Sequence, residues 1–206
     1  MSEVDRAAHW QQVYSTRDSR EVSWFQATHA STLELIAASG VSPAQPVIDV
    51  GGGASTLVDA LVERGFSDVT VLDVSPAALD VARARLGERG RAVHWVAADV
   101  TSWAPTRRYS LWHDRAVFHF LTDAAARAAY LAQVHRSVKP GGHVMVATFG
   151  LDGPERCSGL PVARYDAAGI HAVFGDAFVK VDEASEVHAT PWGSSQAFVY
   201  CFCRRA

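Results

Sequence analysis

Val47-Ile48-Asp49-Val50-Gly51-Gly52-Gly53-Ala54-Ser55 is a short apolar run that carries an acid and closes on three glycines. Further on, Val69-Thr70-Val71-Leu72-Asp73 is a second apolar run ending in an acid. The separation of about 20 residues is that at which one βα unit hands over to its next strand. Glycines after a buried strand let backbone N–H groups approach a ligand closely, because no Cβ intervenes and positive φ costs little. An acid at the tip of the next strand can accept two hydrogen bonds from the cis hydroxyls of a ribose. The pairing predicts a nucleoside held across the ends of two parallel strands. The competing reading of the glycines alone is a tight turn in an unrelated α/β protein.

What is missing narrows the ligand. A dinucleotide fingerprint needs a third glycine three positions after the second, where a pyrophosphate sits on a helix N-terminus. With Gly51 and Gly53 as the first two, that position is Thr56, which weakens a pyrophosphate cradle. Asp49 would repel phosphate but can help hold a cationic α-amino group. S-adenosylmethionine carries a ribose and an α-amino group and no phosphate, so it fits better than a nicotinamide dinucleotide.

The remaining pattern alternates β-branched runs with Ala/Leu-rich segments, which predicts a parallel sheet flanked by helices. Two N-terminal helices are expected over Arg6–Thr16 and Trp24–Ser39, ahead of strand one at Val47–Val50 and a helix over Thr56–Arg64. Val69–Asp73 is strand two. The helix after it opens with Ser75-Pro76, a cap followed by proline at the first position. Strands three and four fall at Val93–Ala97 and Tyr109–His113. A helix over Asp123–Val138 stops at Lys139-Pro140-Gly141-Gly142, and strand five is His143–Phe149. Gly150–Pro161 reads as a loop and Asp166–Phe174 as a helix. Phe178–Ser185 and Gln196–Cys203 are expected to pair antiparallel at the sheet edge, joined through Trp192. No repeat or linker divides the 206 residues, so a single domain over 1–206 is expected, with 1–40 as a helical lid and 45–206 as the core.

Composition sets outer bounds. The chain is 49% hydrophobic and 20% charged with a net charge of −3, which offers no electrostatic footprint for nucleic acid. No apolar stretch approaches bilayer-spanning length, and Met1–Arg6 lacks the layout of a secretory signal. Cys157, Cys201 and Cys203 form neither a zinc nor a redox spacing, and the nine histidines show no metal spacing. No metal is expected, and a reduced, cytoplasmic setting is the default.

The Asp49–Gly53 turn, Leu72-Asp73, Lys139-Pro140-Gly141-Gly142 and the terminal hairpin together resemble the class I S-adenosylmethionine-dependent methyltransferases. The resemblance covers nearly the whole chain from Val47 onward. It implies a Rossmann-like α/β doubly wound sheet of seven strands, mostly parallel, with a C-terminal antiparallel hairpin. It also implies S-adenosyl-L-methionine as cofactor. Asp49, Gly51, Gly52 and Gly53 would line its methionine end, Asp73 would bind the ribose and Val74 would pack on the adenine. Asp99 would accept from the adenine amino group beside Val100, and Asp114 would touch the methionine moiety and the substrate. The place where amine-modifying members carry an Asn- or Asp-led Pro-Pro-Tyr motif reads His113-Asp114-Arg115-Ala116 here, which disfavours nucleic acids and Gln or Asn amides. Asp114-Arg115-Ala116, Gly153-Pro154 and Val173-Phe174-Gly175 resemble the thiopurine methyltransferase group, whose acceptors are thiols and related soft nucleophiles.

Methyl transfer from a sulfonium is an in-line displacement, so alignment and exclusion of water matter most. A thiol with a pKa of about 8.5 needs little help, whereas a lysine at about 10.4 must be deprotonated and desolvated. Candidate catalytic residues are Asp114, Arg115 and His119. Arg115 either pairs with an anionic substrate or thiolate, or forms a structural ion pair. His119 is either a base or a core histidine within Val117-Phe118-His119-Phe120. Trp10, Tyr14, Trp24 and Phe25 are candidates for an aromatic cover, and Cys157 for a cavity wall. The expected activity is direct methyl transfer to a small nucleophile, with a thiol as the leading candidate. A protein lysine is the alternative acceptor, and a non-catalytic nucleoside-binding module the alternative class.

Overall fold

The computed structural model describes residues 3–206. Helices α1 (Glu3–Thr16) and α2 (Ala30–Ala38) precede strand β1 (Val47–Val50), α3 (Leu57–Glu63), β2 (Val69–Asp73), α4 (Pro76–Leu86) and β3 (His94–Ala97). Then follow β4 (Tyr109–Arg115), α5 (Ala124–Ser137), β5 (Val138–Phe149), a small hairpin of β6 (Arg156–Cys157) and β7 (Leu160–Pro161), α6 (Ala167–Phe174), β8 (Phe178–Ala189) and β9 (Ser195–Arg205). The main sheet has seven strands in the order β3-β2-β1-β4-β5-β9-β8. The first five are parallel, and β9 runs antiparallel between β5 and β8. Strand order reverses between β1 and β4, which opens a crevice outside their carboxyl ends, the usual ligand site of such sheets.

Local chemistry explains why the elements start where they do. The Ser75, Asp123 and Asp166 side chains accept from the backbone N–H of Ala78, Ala126 and Gly169, capping α4, α5 and α6. Every residue of β1 and β2 is buried, as expected for strands covered on both faces. Two apolar layers result. Val47, Val71 and Leu111 face one with Leu57 and Leu79, while Ile48, Leu72 and Trp112 face the other with Tyr130 and Val134.

Three expectations need correction. The second N-terminal helix starts at Ala30 and not at Trp24. Residues 17–29 instead form turns that carry Trp24, Gln26 and His29 to the crevice. The Gly150–Pro161 segment contains the β6–β7 hairpin. Strand β5 begins at Val138, before the Lys-Pro-Gly-Gly turn: Val138 pairs with Tyr109, and the ladder then shifts register to Leu111–His143. Gly142 fits that irregularity because a Cβ there would stand 2.9 Å from the Lys139 carbonyl oxygen.

Candidate active site

The turn after β1 is tight because side chains are absent. Gly51 has φ +70° and donates its N–H to the Leu72 carbonyl at 2.7 Å. A Cβ at Gly51 would collide with Val117, one at Gly52 with the Asp49 carboxylate, and one at Gly53 would stand 2.5 Å from Asp73 Oδ2. The turn thus lies directly against both acids. Strand alternation puts them on one face: Asp49 and Asp73 point the same way as Val47 and Val71.

Asp73 is 6% exposed, and its Oδ1 accepts from the Ser75 N–H at 2.8 Å. Burial pushes its carboxyl up to about 7, against the backbone N–H groups of Ser75, Val74 and Gly53 that favour the charged form. Asp49 is 3% exposed. One of its oxygens bonds His113 Nδ1 at 2.7 Å and the other, Oδ2, has no partner among the described residues.

A cavity of about 770 Å³, part of it open to solvent, lies at the ends of β1, β2 and β4. Gly51, Asp73, Val74, Asp99 and Val100 line it on the sheet side, and Arg6, Trp10 and Tyr14 of α1 roof it. A second cavity of about 530 Å³ shares Gly51, Tyr14, Trp24 and Arg115 with the first and reaches Asp49, Gly52 and His29. Of the residues singled out in the sequence, the crevice therefore gathers Asp49, Gly51, Gly52, Asp73, Val74, Asp99, Val100 and Arg115, with the aromatic residues Trp10, Tyr14, Trp24 and Phe25 and with Cys157. Gly53 lines neither cavity but donates its N–H to Asp73.

Asp99 is already occupied. Its Oδ2 accepts from Arg6 Nε at 3.0 Å and Nη2 at 2.8 Å, and its Oδ1 from the Thr101 N–H at 2.8 Å and hydroxyl at 2.6 Å. A carboxylate offers about four lone-pair sites, so a further donor must compete with one of these.

Two of the three expected catalytic groups lie elsewhere. Asp114 is fully buried on the opposite face of β4, with the Trp112–Tyr130 side of the sheet. Its Oδ1 accepts from the Val117 and Phe118 N–H groups, and its Oδ2 from the Tyr130 hydroxyl at 2.7 Å. It lines neither cavity and serves to pin the turn after β4. Ala116, at φ +71°, sits in that turn. His119 is also fully buried, between Phe120 and Phe149. Burial, with Arg115 nearby, pushes its imidazole down to about 3, and it lines neither cavity. Arg115 reaches the crevice but is committed. It pairs with Glu186 at 3.2 Å, donates to the Tyr200 hydroxyl at 3.3 Å and lies 3.9 Å above the Phe198 ring.

Sequence reasoning missed Arg6, His29, Glu186 and Tyr200. For α1 the signal was present: Arg6, Trp10 and Tyr14 recur at i, i+4 and i+8, one stripe of a helix. For Glu186 and Tyr200 no local pattern marks the pairing of β8 with β9 in front of Arg115. His113 is the neighbour that holds Asp49.

Comparisons with known proteins agree with this geometry. The family described as "Methyltransferase domain" matches residues 47–142. Nodulation protein S of Rhizobium tropici is 29% identical over 117 residues, covering 57% of this chain and 48% of that protein. The ubiquinone/menaquinone biosynthesis C-methyltransferase of Cupriavidus necator is 32% identical, covering 55% and 47%. The chain thus spans about half the length of the curated relatives it matches. The crystal structure of Burkholderia thailandensis 1,6-didemethyltoxoflavin-N1-methyltransferase, with that compound and S-adenosylhomocysteine bound, aligns with a TM-score of 0.71 at 24% identity, covering 100% of this chain and 91% of that one. The chain thus matches the methyltransferase-domain family in sequence across the glycine turn and both acids, and along its described length it shares the fold of a solved S-adenosylhomocysteine-bound methyltransferase.

Proposed function

We propose that this chain binds S-adenosylmethionine and methylates a small, uncharged nucleophile in the cavity roofed by α1. The observation that carries the reading is the junction of two environments. A side-chain-free turn with two buried acids faces an aromatic chamber built from Trp10, Tyr14, Trp24 and Phe120.

The residues fit the cofactor. With three of its roughly four acceptor sites taken by backbone N–H groups, Asp73 keeps one for a ribose hydroxyl, and the unpartnered Asp49 Oδ2 is a buried acceptor suited to an ammonium group. The glycine turn leaves the space that any Cβ would fill. Val74 and Val100 give the apolar walls a base needs. When bound, S-adenosylmethionine supplies an activated methyl group on a sulfonium sulfur. The chain's own contribution is to orient the acceptor and exclude water. Helix α1 does so as a lid over the core that begins at residue 45. It is fastened by Arg6 to Asp99 and by Gln11, whose Oε1 accepts from the Ser75 hydroxyl at 3.0 Å and the Ala77 N–H at 3.1 Å.

Among the described residues of the chamber wall, no group besides Asp73 and Asp99, which serve the cofactor, is suited to deprotonate an ammonium. Tyr14 and Cys157 are both pushed up by burial, the latter to about 11, so they stay neutral at pH 7. Arg115 is held by Glu186. This supports an acceptor that is neutral or readily ionised, such as a thiol or a ring heteroatom, over a protein lysine. The test is incubation with methyl-labelled S-adenosylmethionine and separate panels of small thiols, nitrogen heterocycles and lysine-bearing proteins. Label in extractable small products supports the proposal, and label confined to protein bands contradicts it.

A further inference from the structure

Tyr14 has a hydroxyl with a proton to spare. It accepts the Trp24 indole N–H at 2.9 Å, and among the described residues nothing accepts its own O–H. The group stands where the two cavities meet, since both are lined by Tyr14 and Trp24. One lone pair is taken by the indole, so the hydroxyl at this junction keeps its proton free to donate. Three rings bound that space. Trp10 meets Trp24 at 5.4 Å and 85°, and Phe120 at 5.2 Å and 72°. Walls near right angles suit a flat ring, which can stack on one and meet the other edge-on. Apart from Asp73, assigned above to the ribose, the charged side chains lining the chamber are paired: Arg6 with Asp99 and Arg115 with Glu186. An ionic acceptor would have to break one of these pairs.

Resting on the reading above, we propose that Tyr14 determines acceptor specificity. Its O–H, held by Trp24, donates to a carbonyl oxygen or ring nitrogen of a flat, uncharged heteroaromatic acceptor lying against Trp10 and Phe120. Tyr14 is a positioning residue: it fixes the ring so that a neighbouring heteroatom faces the methyl group, and it takes no proton.

The test uses protein saturated with S-adenosylhomocysteine and two flat bicyclic probes of similar size, 2-quinolone and naphthalene, measured by equilibrium dialysis. Wild-type protein should bind 2-quinolone about five- to tenfold more tightly than naphthalene, the range of one net hydrogen bond. Tyr14→Phe should bring that ratio near one by weakening 2-quinolone alone. Trp24→Phe, which frees the hydroxyl to rotate, should lower the ratio part of the way. Wild-type protein that binds the nucleoside yet prefers neither ring, or binds neither, overturns this proposal alone. So does a Tyr14→Phe variant that keeps the preference, or one that loses affinity for S-adenosylhomocysteine, since the hydroxyl would then serve the cofactor. Failure of wild-type protein to bind S-adenosylhomocysteine at all would sink the methyltransferase reading and this one with it.

Discussion

At Asp73 two influences oppose each other, and burial wins: the carboxyl titrates at about 7 in spite of three backbone donors. Between about pH 4 and 7 the folded chain therefore holds a proton that the unfolded chain has released, so this group's contribution to stability falls as pH rises through that window. Ligand binding has the opposite sign. Accepting from the ribose on top of three backbone N–H groups needs the carboxylate, so affinity for S-adenosylhomocysteine should fall as pH drops below about 7, by at most about tenfold per unit. Calorimetry from pH 5.5 to 8.5 checks this, and Asp73→Asn should flatten the profile. His119 behaves as a core residue. Its imidazole is pushed down to about 3, so the stability it contributes is lost as pH falls from about 6.5 toward 3. His119→Phe should remove that acid sensitivity in urea unfolding while leaving nucleoside affinity unchanged. A loss of affinity would return His119 to the site. The placement of Asp114 away from the crevice has a simple geometric source. Proximity to the end of β4 suggested the crevice, but alternation sends His113 and Arg115 to the crevice face and Asp114 to Tyr130.

At the scale of elements, the glycine turn and α1 make separate predictions. Gly53 has φ +22°, and a Cβ there would press on Asp73 and Ala78. Gly53→Ala should cost about 1 kcal/mol of stability through backbone strain. It should also weaken S-adenosylhomocysteine by more than tenfold, through displacement of the ribose acid. Equal losses in both measurements would point to a merely structural turn. For α1, the Arg6–Asp99 pair occupies the acid expected to meet adenine. Arg6→Ala should speed both association and dissociation of S-adenosylhomocysteine, followed by stopped-flow fluorescence of Trp10 and Trp24; unchanged rates would contradict the latch. Strands and glycine turn were legible because β-branched runs and missing side chains leave direct marks in sequence. The boundary of α2 was not, because Trp24 and Phe25 are apolar for the sake of the cavity and imitate the buried stripe of a helix.

Across the whole molecule, the alternation of strands and helices was enough to expect a parallel sheet, and the central order β2-β1-β4-β5 with its terminal antiparallel pair follows that expectation. The acceptor chamber was less legible, since it draws on α1, the 17–29 turns, β4 and the β6–β7 hairpin. Distant segments converge there by packing, and no sequence spacing records it. The central claim is that the turn after β1 and the acid ending β2 jointly hold an adenosyl group. Calorimetric titration of the wild-type chain and Asp73→Ala with S-adenosylhomocysteine tests it most directly. The account predicts one-to-one binding by the wild type and a loss of about ten- to 100-fold in the variant, the worth of one hydrogen bond to a charged acceptor. No binding, or binding indifferent to Asp73→Ala, would contradict it.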